Sequence, residues 1–150
     1  GLEVVEIGCP ALHETLADHD MTLPTGRVAP DRDFGGQVFL RHIAAQTPWR
    51  AHGEGFERRE TGMVAATRGL AEARALRPAG ATRLAVPAHD GELWFGFLLQ
   101  GSAVLERQGD HHLDACDAFV IPAGEAWGLR DCSADLELLE VILPAGARGG

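Results

Sequence analysis

At 150 residues the chain has the length of one domain, and its 45% hydrophobic and 23% charged content is ordinary for a globular fold able to bury a core without disulfides. A formal net charge of −9, with arginine as the sole basic side chain besides histidine and no arginine patch, disfavours a nucleic-acid partner. No apolar run approaches the roughly 18 residues of a membrane span, so no membrane partner is expected. The absence of Lys, Tyr and Asn removes Schiff-base lysines, P-loops, tyrosine acids and Cys-His-Asn triads. Ser102 and Ser133 are the only serines, and neither sits in a Gly-x-Ser-x-Gly elbow. Cys9, Cys116 and Cys132 are too scattered for a disulfide framework or a zinc cluster and read as free thiols. With no basic or apolar leader in Gly1 to Glu6, the expected location is cytoplasmic.

Residues 1–55 read as an irregular N-terminal arm rather than an independent domain. Pro10 to Asp18 can make two helical turns, with Pro10 at the start and Leu12 and Leu16 one turn apart. Leu23 to Gly36 carries Pro24, Gly26, Pro30, Gly35 and Gly36 and reads as loop, and Gln37 to Ile43 as a short strand. From residue 56 short apolar runs alternate with turn signals. Met63 to Ala66, Ala71 to Leu76, Leu84 to Val86, Leu93 to Leu99, Ala103 to Arg107, Ala118 to Ile121 and Leu136 to Leu143 are the expected strands. His111-His112 fall on an expected turn beside Gly109-Asp110, and Arg58-Arg59 on solvated surface. This spacing predicts an all-β sandwich or closed barrel over 56–145, with 146–150 as a tail.

Two segments carry a resemblance. His89-Asp90-Gly91-Glu92-Leu93-Trp94-Phe95-Gly96-Phe97-Leu98-Leu99-Gln100-Gly101 resembles the first cupin motif, a metal-binding turn leading into an apolar strand that ends in glycine. Cys116-Asp117-Ala118-Phe119-Val120-Ile121-Pro122-Ala123-Gly124-Glu125-Ala126-Trp127 resembles the second, Gly-Asp-x-x-x-x-Pro-x-Gly-x-x-His, with Cys116 in place of the turn glycine. Phe56 to Gly69 is similar to the lead-in, and Cys132 to Val141 to the closing strand, of small single-domain bacterial cupins. The resemblance implies a double-stranded β-helix, the cupin or jelly-roll barrel. It also implies a metal site of two His and a carboxylate or amide from the first motif and one His from the second. Those four positions fall here on Pro87, His89, Trp94 and Trp127. Three of the four cannot ligate a metal, so no cofactor is expected.

The function expected is binding of a small organic molecule in the barrel, in a pocket of His89, Glu92, Trp94, Phe119 and Trp127, by a two-fold homodimer that uses part of the arm. Trp94 and Trp127 either wall a cleft or plug the lumen. Alternatives are a dioxygenase- or isomerase-type enzyme holding a divalent transition metal through His89 and Glu92 with His42 or His52, and a metal-free enzyme in which His89 moves a proton beside Asp90 or Glu92. A fourth alternative is an interaction module with a plugged barrel. Cys132 is expected to pack as a small hydrophobe.

Overall fold

A computed structural model describes residues 4–8, 19–20, 22, 24–27, 29, 31, 35–53 and 55–146, in two compact units, 1–31 and 32–150. In the first unit, described residues such as Val4 and Val5 are exposed and belong to no helix or strand. The helix expected over Pro10 to Asp18 lies outside the described residues.

The described residues of the second unit form ten strands: β1 Arg50–His52, β2 Phe56–Glu60, β3 Glu72–Pro78, β4 Leu84–Val86, β5 Leu93–Gln100, β6 Ser102–Glu106, β7 Asp110–Asp114, β8 Ala118–Ile121, β9 Trp127–Arg130 and β10 Glu137–Leu143. They form a six-stranded antiparallel sheet in the order β1-β2-β3-β10-β5-β8 and a four-stranded one in the order β4-β9-β6-β7. This is the expected all-β cupin architecture. One core joins the two sheets: Leu76, Leu98, Leu138, Ile142 and Ile121 from the larger, Leu105, Leu113 and Leu129 from the smaller.

Several expectations need correction. Met63–Ala66 is one turn of helix, α1, not a strand. Gly62 enters it at φ +86°, and Thr67 Oγ1 donates to the Met63 carbonyl at 2.9 Å. A four-residue apolar run carries no period, so this local capping decides its form. Gln37 to Ile43 joins no sheet, and Val38 N–H donates instead to the Ala66 carbonyl at the end of α1. His111 and His112 lie on strand β7, exposed at the edge of the smaller sheet, where the one buried side chain is Leu113. Strand β1, upstream of the expected barrel start, pairs with β2 through Arg50↔Arg58 and His52↔Phe56. Arg59 is half-buried rather than solvated. Its guanidinium carbon lies 4.1 Å from the Trp49 ring centroid, Arg77 lies 4.4 Å from the same ring, and Arg59 pairs with Glu137 at 3.6 Å. Stacking on the Trp49 ring covers both cations, and Arg59 Nε is buried without a hydrogen-bond partner.

Opposed residues in a sheet share a face, and three rows cross the inner face of the larger sheet. The first runs Arg58, Leu76, Leu138, Leu98; the second Glu60, Arg74, Glu140, Gly96, Phe119; the third Glu72, Ile142, Trp94, Ile121. At Gly96 the missing side chain is filled by the Phe119 ring, which lies where a Cβ would project. Gly96→Ala is therefore expected to cost about 1–3 kcal/mol by overpacking, part of it recovered by adding Phe119→Leu. Urea denaturation of the single and the double variant checks this, and a single-variant change below about 0.5 kcal/mol contradicts the tight fit. Gly101, between β5 and β6, has φ +78°, and a Cβ there would come within 2.6 Å of the Leu136 Cα. Both reasons require glycine at the end of the first motif.

Candidate functional site

His89 sits in the connection from β4 to β5. Its Nε2 lies 3.0 Å from the Ile121 carbonyl oxygen, and its own carbonyl accepts the Gly124 N–H at 2.7 Å. These two bonds tie the first-motif turn to the end of the second. A carbonyl only accepts, so Nε2 carries the hydrogen and a neutral ring keeps its lone pair on Nδ1. Nδ1 is buried and has no hydrogen-bond partner.

Four of the five expected pocket residues come together. His89 and Trp94 have ring centroids 5.2 Å apart, Trp94 and Trp127 meet edge to face at 5.9 Å, and Phe119 meets Trp127 at 5.2 Å. All four are buried. Glu92 does not join them: it is exposed, one residue before β5 begins, where the alternation that would have matched it with Trp94 has not started. The two indoles pack on each other rather than facing across an open cleft. Trp127 belongs to the core, and its Nε1–H has no partner. Trp94 both joins the core and lines a cavity of about 200 Å³ with His52, Arg74, Leu76, Pro87 and Glu140.

The sequence reading missed the charged centre of this cavity. Arg74 Nε donates to Glu140 Oε2 at 2.7 Å, Arg74 Nη1 to Glu72 Oε1 at 2.7 Å, and Trp94 Nε1 to Glu140 Oε1 at 3.1 Å. Side-chain exposures are 3% for Arg74, 0% for Glu140 and 8% for Glu72, so these are interior charges. Burial pulls the Arg74 pKa down, but the charge and hydrogen bond of Glu140, then Glu72 and Glu60, outweigh it and hold the guanidinium above its ordinary value. The signal was present in the strand period. It puts Arg74 with Leu76, and Glu140 with Leu138 and Ile142, on faces that must be buried.

Among the described residues, those at the expected metal positions do not make up a divalent-metal ligand set. Pro87 offers no donor, Trp94 Nε1 and Trp127 Nε1 are N–H groups without a lone pair, and Glu92 is exposed. Among the described residues no three His, Cys, Asp or Glu side chains converge on one point. His42 is engaged with Thr47 Oγ1 at 3.0 Å, Asp90 is exposed, and His52 lines the cavity. Cys9 lies outside the described residues, and the two described thiols lie elsewhere: Cys116 is exposed at φ +75°, in the glycine-like turn its motif position implies, and burial pushes the Cys132 thiol up to about 11.

No family model matches the chain, and no curated protein matches it in sequence. Solved structures do match. An RmlC-like cupin from Shewanella frigidimarina superposes with a TM-score of 0.60 at 19% identity, covering 69% of this chain and 89% of that one. KdgF from a Halomonas species gives 0.58 at 19%, covering 69% and 93%. A predicted oxalate decarboxylase from Thermotoga maritima gives 0.57 at 18%, covering 70% and 99%.

Proposed function

The chain has the cupin fold, and we propose that its barrel binds a small planar organic molecule in the cavity of Trp94, Arg74 and Glu140, without a bound metal ion. The observation that carries this is the buried Arg74–Glu140 pair on the cavity wall, with Glu72 held on a second nitrogen of Arg74. An interior ion pair is no better for stability than well-packed apolar side chains, and often worse. Its presence beside an aromatic face and an unfilled volume is the composition of a ligand site, a concave apolar surface with few placed polar groups. His89 contributes by fixing the edge of Trp94. The expected homodimer has support in the exposed Leu99 and Val120, both on the outer face of the larger sheet.

Saturation-transfer NMR with a library of planar fragments tests the binding. Fragments should bind the wild type at about 1 mM or tighter, with or without chelator, and lose at least about tenfold in affinity to Val86→Trp, which fills the cavity from its β4 wall. Failure of every fragment, or binding that needs a divalent ion, sinks the proposal.

A further inference from the structure

The hydrogen-bond inventory of the cavity wall specifies more than a ligand's size. Arg74 uses Nε and Nη1 on its two carboxylates, while its Nη2 makes no hydrogen bond among the described residues. Glu140 accepts one hydrogen bond on each oxygen, so each oxygen retains a lone pair. The wall thus offers a donor on Arg74 and acceptors on Glu140, side by side, with the Trp94 indole on the same cavity.

The charges add a constraint. One guanidinium faces two carboxylates, Glu72 and Glu140, and Glu60, the third carboxylate it senses, is matched by Arg58 at 2.8 Å. Arg74 and its two carboxylates together therefore carry one excess negative charge, in an interior where the effective dielectric is low. A carboxylate ligand would raise that excess to two. A cationic ligand would set a second positive charge against Arg74 and leave Nη2 without an acceptor. A neutral group with an acceptor beside a donor meets both walls with no change in charge.

We propose that the barrel selects uncharged planar ligands bearing a carboxamide or lactam edge, the carbonyl accepting from Arg74 Nη2 and the N–H donating to Glu140, and that it rejects carboxylates. This rests on the cavity being the binding site proposed above.

Benzamide, benzoate and benzamidinium share one shape and differ in charge, so they separate the alternatives. Each is titrated into the full wild-type chain near neutral pH by ligand-observed NMR. Benzamide should bind at least about tenfold tighter than either charged analogue. Benzoate or benzamidinium binding as tightly as benzamide overturns the proposal while leaving the cavity as a binding site. No binding of any of the three at about 10 mM also overturns it, and the cavity itself is then in question only if the fragment library fails as well. In Glu140→Gln, which keeps an acceptor for Trp94 but removes one negative charge, benzoate should gain at least about tenfold. An unchanged benzoate affinity there overturns the charge rule. Should that variant not fold, the wild-type ranking still decides.

Discussion

Arg74→Met is expected to destabilise the fold by about 3–5 kcal/mol, because it leaves Glu140, with no exposed surface, as a buried charge without its cation. The loss should shrink when the carboxylate goes too. Arg74→Met combined with Glu140→Gln keeps an acceptor for Trp94 Nε1 and removes the stranded charge, and should recover about 2 kcal/mol of the deficit. A double-mutant cycle by chemical denaturation measures that coupling. A single-variant cost under about 1 kcal/mol, or additive effects, would show that water reaches Glu140 and that the network is not interior in solution.

The second large effect is at Trp127. Its ring lies between Trp94 and Phe119 in the core, so Trp127→Ala should cost about 3–5 kcal/mol by opening a cavity. Trp127→Phe should be far milder, about 1 kcal/mol or less, since the indole N–H it discards is buried without a partner. Trp94→Phe removes a similar volume yet breaks the hydrogen bond to Glu140, and should cost about 1–2 kcal/mol more than Trp127→Phe. Equal losses for the two phenylalanine variants would mean that Trp127 Nε1 holds a partner in solution. Thermal and urea unfolding read all three.

How legible this was differed between strands for a physical reason. Leu84–Val86 was delimited as it stands, and Leu93–Gln100 to within one residue, because a strand buried on its inner face writes apolar residues at every second position. Strands β1, β2, β7 and β9 were missed. Phe56–Glu60 carries four charges in a row, Asp110–Asp114 needs one inward residue because it is an edge, and Trp127–Arg130 contains a glycine. The aromatic part of the site followed from motif register, which located His89, Trp94, Phe119 and Trp127. The same register misled at Glu92, since motif spacing says nothing about where a strand begins. Glu72, Arg74 and Glu140 stayed hidden because charge on a strand is ordinarily its solvent face. Only the pairing of β3 with β10, which the linear sequence does not display, shows that Arg74 and Glu140 oppose each other.

Strand β10 lies in the middle of the larger sheet, between β3 and β5, although it is the last strand in chain order. Partners of Arg74 and Trp94 thus arrive 66 and 46 residues later in the sequence. During synthesis β3 and β5 leave the ribosome with a strand-wide gap between them, and the lumen's cation waits without its main counter-ion. Closure entropy for such long loops is met before the central ladder repays it, which places the barrel among slow folders, on the order of milliseconds to seconds. Until β10 inserts, two open edges and the apolar inner face stand exposed together, so the nascent chain has its greatest need of chaperone shielding in that interval.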